Sequence, residues 1–263
     1  MSASASPLSL SSIVTTLRAA GCVFAEDEAA LLLSTAGTPA VLAGMVERRV
    51  AGLPLEHVLG WAEFCGMRVR VDPGVFVPRR RTEFLVRQAV GLTPTPSVVV
   101  DLCCGSGALG AALAAALDGV ELHATDVEPA AVRCARHNVG ELGRVYEGDL
   151  FAPLPDSLRG RVDVLLANVP YVPTGDVELL PAEARIHEPR VALDGGGDGL
   201  DVMRRVAAEA PGWLAPGGSL LVETSERQAA RAQEAVGSGG LVPRVVTSDE
   251  LYATVVIGTR PER

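Results

Sequence analysis

The sequence predicts an α/β fold: a seven-stranded, mostly parallel sheet whose last strand is antiparallel, behind a small helical N-terminal domain. Three observations predict it. Residues 10–51 carry helical hydrophobic periodicity and no strand pattern. From residue 97 onward, short β-branched runs alternate with Ala- and Leu-rich helical stretches. The early runs are apolar along their length, as in a parallel sheet covered on both faces. The last two runs are only a few residues apart, too close for a helical crossover, so they pair antiparallel.

In chain order, helices are expected at 10–20, 27–36 and 39–51. Ser9 or Ser11 caps the first and Gly21 stops it; Gly37 stops the second; Thr38 and Pro39 start the third with proline in its first turn. An extended stretch at 67–71 ends on the turn Asp72-Pro73-Gly74. Strands follow at 97–101 (SVVVD), 120–126, around Val145, and at 162–168 (VDVLLAN), 219–223, 241–247 and 251–258. Helices at 108–117, 129–138, 201–213 and 228–236 connect them. The expected division is a helical domain at 1–53, a linker with a short extended hairpin at 54–77, and the sheet domain at 78–263.

Composition narrows the functional classes. Hydrophobic residues make up 48% of 263 but aromatics only 4%, so Leu, Val and Ala build the core. The formal net charge is −9 and there is no basic block, so direct nucleic-acid binding is not expected. Five cysteines, an odd count without CxxC spacing, argue against a disulfide framework or a zinc site. The four histidines lack metal-ligand spacing and no Ser/His/Asp order suggests hydrolysis, so no metal is expected. No apolar run spans a membrane, and MSASASPLSLSS lacks a basic segment followed by an apolar one. A reducing, cytoplasmic setting is expected.

VVVDLCCGSGALG, residues 98–110, puts a glycine-rich turn between the first strand of the sheet and its helix. Gly105, Gly107 and Gly110 spell GxGxxG, and Asp126 lies about 20 residues on, as a nicotinamide dinucleotide site would require. Asp101 weighs against that reading, because a carboxylate just before the glycines repels a pyrophosphate but serves an ammonium or an ordered water. S-Adenosylmethionine has a sulfonium and an α-ammonium and no phosphate. Asp126 suits ribose hydroxyls in either case. A parallel sheet with an antiparallel C-terminal strand also suits a methyltransferase better than a dinucleotide fold. Cys103 and Cys104 are expected to be small residues packed under the ligand, since adjacent cysteines meet disulfide geometry only with strain and no neighbour activates them.

The fourth strand ends in Asn168-Val169-Pro170-Tyr171. Ligands in doubly wound sheets sit outside the carboxyl ends of the strands, so Asp101, Gly105, Asp126 and Asn168 are expected to converge on one crevice. This strand end resembles that of methyltransferases acting on planar nitrogens, and the resemblance implies an amide nitrogen as acceptor, a poor nucleophile because its lone pair is delocalised. Asn168 Oδ1 and the carbonyl of residue 169 could each accept one of its N–H groups and aim the lone pair; alignment, not a strong base, then supplies most of the rate. Pro170 pushes Val169 toward extended backbone, which a β-branched residue favours anyway.

This tetrad resembles the Asn-Pro-Pro-Tyr of methyltransferases that modify planar nitrogens. PLEHVLG (54–60), Phe64, Gly66, VPRRRTE (77–83), Asp101 to Gly107, GDLF (148–151), the tetrad, EPRVAL (188–193), GGGDGLDVMRRV and LAPGGSLLVE follow the order found in HemK/PrmC-type protein glutamine methyltransferases. The resemblance covers residues 54–225. It implies the class I S-adenosylmethionine-dependent methyltransferase fold, with S-adenosyl-L-methionine as cofactor and methyl transfer to a glutamine amide, typically in the Gly-Gly-Gln loop of a peptide-chain release factor. That release factor would be the protein partner, recognised in part by the N-terminal helices. The resemblance further implies that Asp149 meets the adenine amine and Leu150 its ring, and that Arg79 and Thr82 lie over the cofactor. The expected cofactor set is then Arg79, Thr82, Asp101, Cys103, Cys104, Gly105, Ser106, Gly107, Asp126, Val127, Asp149, Leu150 and Asn168; the expected catalytic set is Asn168, Val169, Pro170 and Tyr171. Glu188, Pro189 and Arg190 would fix the loop beside the substrate or form a surface ion pair.

The chain departs from the family at Val169, usually Pro, and at Arg80 and Arg81, usually Pro and Asp. The two arginines either touch an acidic partner or form a solvated basic turn. The alternatives are a nucleobase amino-methyltransferase and a cofactor-binding pseudoenzyme acting as an interaction module.

Overall fold

The computed structural model describes residues 9–262. Of MSASASPLSLSS, on which the leader reading was made, the first eight residues lie outside them. Three helices come first: α1 (Leu10–Ala19), α2 (Ala25–Thr35) and α3 (Pro39–Val50). Ser9 caps α1, its hydroxyl accepting from Ser12 N, and Thr38 caps α3 by accepting from Val41 N. Their apolar faces meet in a cluster of Ile13, Leu17, Leu32, Leu42 and Met45. Val58, from the short helix α4 (Leu55–Leu59), joins it.

A hairpin of β1 (Trp61–Phe64) and β2 (Met67–Arg70) leads to α5 (Glu83–Leu92). The sheet then builds from β3 (Ser97–Leu102), β4 (Val120–Asp126), β5 (Gly143–Glu147), β6 (Val162–Ala167), β7 (Leu214–Thr224), β8 (Val242–Ser248) and β9 (Ala253–Thr259). Its order is β5-β4-β3-β6-β7-β9-β8, parallel except that β9 runs antiparallel to β7 and β8. That is the predicted seven-stranded sheet with its last strand reversed. The connecting helices are α6 (Ala108–Ala116), α7 (Pro129–Val139), α8 (Ala182–His187), α9 (Asp201–Trp213) and α10 (Ala229–Ser238).

Strand side chains alternate between two buried faces. Val98, Val100 and Leu102 pack with Met203, Val206 and Trp213 of α9 on one face. Val99 joins Leu85 of α5 and Leu109 and Leu113 of α6 on the other. The chain winds from β3 outward through β4 to β5, then returns to place β6 on the other side of β3. This reversal opens a crevice at the carboxyl ends of β3, β4 and β6. The sequence reading assigned no element to α4, α5 or α8, and started β7 five residues late, because Ala215-Pro216-Gly217-Gly218 reads as a turn yet opens the strand.

Arg49 of α3 ties the helical unit to the sheet unit. It is nearly buried, donates to Glu28 Oε2 at 2.6 Å and Oε1 at 3.1 Å, and reaches Glu183 of α8 at 2.5 Å. Removing one partner of a buried pair strands the other charge. Arg49→Ala is therefore expected to lower the unfolding free energy by about 3–5 kcal/mol, read from urea titration of the full chain.

Candidate active site

A cavity of about 450 Å³ occupies the crevice, a size suited to one small-molecule ligand. Its floor comes from the loops after β3 (Cys103, Cys104, Gly105, Ser106), β4 (Asp126, Val127), β5 (Asp149, Leu150) and β6 (Asn168, Val169, Pro170, Tyr171). Leu180, Glu183 and Ala184 close the outer side, and Phe76, Arg79 and Arg81 close another. Of the residues expected from sequence, three stand outside this lining: Thr82, Asp101 and Gly107.

The glycine loop explains two of those exceptions. Gly105 has φ +56°, the left-handed region, and a Cβ there would meet nothing within 4 Å. Its N–H donates to Asp126 Oδ2 at 2.8 Å while Glu128 N–H donates to Oδ1 at 2.9 Å, so Asp126 is locked facing the cavity. Gly107 instead permits close packing: a Cβ would lie 3.1 Å from both Ala135 Cβ and Val139 Cγ2. At Gly110 a Cβ would come within 2.9 Å of Leu122 Cδ1. Asp101 lies beneath the loop, 1% exposed. Its Oδ2 accepts from Gly110 N–H at 2.9 Å and its Oδ1 has no partner among the described residues. Thr82 is likewise fully buried, at the start of α5. Burial pushes the thiols of Cys103 and Cys104 well up, as expected for inert packing residues.

Asp149 pairs with Arg205 at 2.5 Å. Leu150 adopts φ +47° and its carbonyl accepts from Thr125 Oγ1 at 2.9 Å, which turns this loop toward the cavity. Glu188, nearly buried, is gripped through both oxygens by Arg79 Nη2 at 2.6 and 2.7 Å and accepts from Val77 N–H at 3.1 Å. Burial raises its pKa against the pull of Arg79. This pair is a clamp between the hairpin exit and the outer wall; Arg190 pairs with Asp194 instead.

At the tetrad Val169 as a whole residue is 1% exposed, and its side chain joins the core cluster of Leu102, Leu150 and Val222. The main chain after it is held down. The Tyr171 carbonyl accepts from Gln228 Nε2 at 2.9 Å, Val172 exchanges hydrogen bonds with Leu193 and Gly195, and a Cβ on Gly195 would approach the Pro170 carbonyl to 2.6 Å. Among the described residues no donor reaches Asn168 Oδ1 or the Val169 carbonyl, although both residues line the cavity.

Every arginine that lines the cavity is paired: Arg79 with Glu188, Arg81 with Glu223, Arg205 with Asp149. Asp126 and Glu128 have no cation partner among the described residues. The surplus charge is negative, so the cavity suits a cation and opposes a pyrophosphate. Arg81 thus pairs with an acid of its own chain while its side chain stays 46% exposed, so the basic turn is partly solvated and paired at once; Arg80 is exposed as well. Sequence reasoning missed Glu183, Arg205 and Glu223. Glu223 was legible only as the polar end of SLLVE, Arg205 as an ordinary helix-surface charge, and Glu183 lay in a stretch to which the sequence assigned no element.

Asp101 carries a pH dependence. Burial, opposed by the Gly110 N–H and assisted by the Asp126 charge, pushes its carboxyl up to about 7. The folded state then holds a proton that the unfolded state releases near its ordinary value of about 3.9. The stabilisation is complete below that value and is lost as pH rises through about 7. Thermal melts across this window should show that loss in the ligand-free wild type, and a flatter profile in Asp101→Asn.

Comparison with known proteins agrees with this architecture. The family profile "Methyltransferase small domain" matches residues 66–206. A release factor glutamine methyltransferase of Geobacter sulfurreducens is 42% identical over 71% of this chain and 66% of its own length. Its namesake in Streptomyces coelicolor is 38% identical over 80% of this chain and 72% of its own. The chain therefore spans just under two thirds of the Geobacter relative. A methyltransferase of Pyrococcus furiosus shares the fold at TM-score 0.54 and 17% identity, over 74% of this chain and 90% of that one. The ribosomal protein L11 methylase of Lactobacillus delbrueckii does so at TM-score 0.53 and 16% identity, over 73% and 85%. With a switch-point cavity of negative surplus charge and this degree of identity, the chain belongs to the release factor glutamine methyltransferase family.

Proposed function

We propose that this protein transfers a methyl group from S-adenosylmethionine to the side-chain amide nitrogen of a glutamine, in the Gly-Gly-Gln loop of a peptide-chain release factor. The observation that carries the reading is the pair of acceptors left without donors, Asn168 Oδ1 and the Val169 carbonyl, on consecutive residues of one cavity. A primary amide offers two N–H groups to such a pair.

The residues present fit the cofactor. The cavity's unpaired carboxylates suit a ligand of net positive charge, and the open space beside Gly105 lets a ligand approach the backbone. Asp126, Val127, Asp149 and Leu150 would hold the nucleoside, while the loop at 103–106 would lie under the amino-acid end. Bound there, S-adenosylmethionine supplies an electrophilic methyl carbon on a sulfonium.

The chain's own part is alignment. Asn168 Oδ1 and the Val169 carbonyl each take one N–H and fix the plane of the amide, so that the nitrogen lone pair, perpendicular to that plane, faces the methyl side. The same oxygens stabilise positive charge as it grows on nitrogen. Tyr171 walls the planar amide. Thr82, Asp101 and Gly107 support the cofactor loop from behind. The helical unit, joined to α8 through Arg49 and Glu183, would recognise the protein substrate. No helix among the described residues is long and apolar enough to cross a membrane, and the reaction suits the cytoplasm, where release factors act.

The direct test incubates the protein with methyl-labelled S-adenosylmethionine and a bacterial release factor, then maps the label by peptide mass spectrometry. Label on glutamine of the Gly-Gly-Gln loop is expected; label on a nucleobase, or on another residue, would replace this reading. Asn168→Ala is expected to cut kcat by about 10²–10³-fold, with cofactor affinity by calorimetry changed little. Val169→Pro should change kcat by less than about tenfold, because no described hydrogen bond uses the Val169 N–H and the acceptor is a backbone oxygen.

A further inference from the structure

Arg81 stands where the resembling family has an acid, and the alignment scheme above leaves it without a role. It sits in the 3-10 turn that opens α5 (Arg80–Thr82). Its Nη2 donates to the Tyr171 hydroxyl at 2.6 Å and its Nε donates to Glu223 Oε1 at 3.0 Å. The Tyr171 hydroxyl in turn donates to the same Glu223 oxygen at 3.0 Å. Three groups from three distant parts of the chain thus close a ring of hydrogen bonds.

Both ends of Tyr171 are consequently fixed. Gln228 holds its carbonyl and the Arg81–Glu223 pair holds its hydroxyl. Glu223 is 2% exposed and its second oxygen has no partner among the described residues. The carboxylate is therefore rigid, and Arg81 is the cation that offsets it. Hydrogen bonds to ionised groups are short and strong, and a planar guanidinium presents its N–H groups at a set angle where an ammonium is a rotating point charge. Without the pair, the ring would be free to turn about its side-chain bonds and the wall beside the two acceptors would lose its shape.

We infer that Arg81 and Glu223 are positioning residues for the proposed methyl transfer, holding the Tyr171 ring as a fixed wall beside Asn168 Oδ1 and the Val169 carbonyl. The inference rests on the glutamine-methylation reading. Neither residue touches the reacting atoms; each acts through the phenol.

The test uses the full chain, S-adenosylmethionine and a recombinant release factor. Arg81→Met is expected to lower kcat by about 10- to 100-fold while the cofactor Kd by calorimetry stays within about twofold. Glu223→Gln, nearly the same shape, should lower kcat in the same direction. In a Tyr171→Phe background Arg81→Met should add less than about twofold, because both changes remove one device. Arg81→Lys keeps the charge but not the fork, and should remain impaired. A second readout does not require turnover. The chain has three tyrosines, so ¹³C-tyrosine ring signals can be assigned with Tyr171→Phe. The Tyr171 signal should shift and broaden in Arg81→Met and in Arg81→Lys. An active enzyme whose Tyr171 signal and kcat ignore Arg81→Met would overturn the inference. So would full rescue by Arg81→Lys, or a loss just as large in the Tyr171→Phe background. A wild-type protein that leaves glutamine unmethylated, with the ring still released by Arg81→Met, would instead overturn the reading beneath it.

Discussion

Two adjacent oxygens at the end of a buried strand, kept free of donors, are the constraint around which the site is arranged. Free acceptors at a strand terminus are unusual, because a neighbouring N–H normally satisfies them. Here the chain that follows is engaged elsewhere: the Tyr171 carbonyl by Gln228, the Val172 carbonyl by Gly195. The glycine-rich stretch at 195–199 makes this possible, since side chains there would collide with the tetrad's main chain. The loop therefore owes its openness to contacts on its far side.

A second regularity concerns how the first third of the chain is joined to the sheet. Arg49, Arg79 and Arg81 each reach a carboxylate beyond residue 180: Glu183, Glu188 and Glu223. All three acids stand in or behind the cavity walls. Two of these pairs also neutralise arginines that line the cavity, Arg79 and Arg81. Assembly and electrostatics of the site are thus one set of contacts, and the two unpaired acids at Asp126 and Glu128 give the cavity its sign.

Much of the sheet was legible because its strands are short, β-branched runs between unmistakable helices. SVVVD and VDVLLAN became β3 and β6 within one residue at their ends. The glycine loop and the tetrad were legible as well, since φ-dependent glycines and an Asn-X-Pro-Tyr end leave local marks. What escaped was non-local. α8 is six residues long, with Ile186 exposed, and short helices carry too few turns for periodicity to show. Asp101 was expected in the crevice because it ends the strand, yet its side chain lies on the face that packs under α6, where Gly110 takes it up. The partners of Arg81 escaped because only the folded chain brings Tyr171 and Glu223, 90 and 142 residues away, alongside it.

The buried side chain of Val169 has a consequence for how relatives of this chain are found. The position between the amide and the proline answers to the interior, where its compact apolar side chain fills the space beside Val222 and Leu150. Substitution there is therefore governed by repacking under the loop. A signature that insists on two consecutive prolines screens for one solution to a filling problem, and it would pass over chains such as this one that fill the same space with valine.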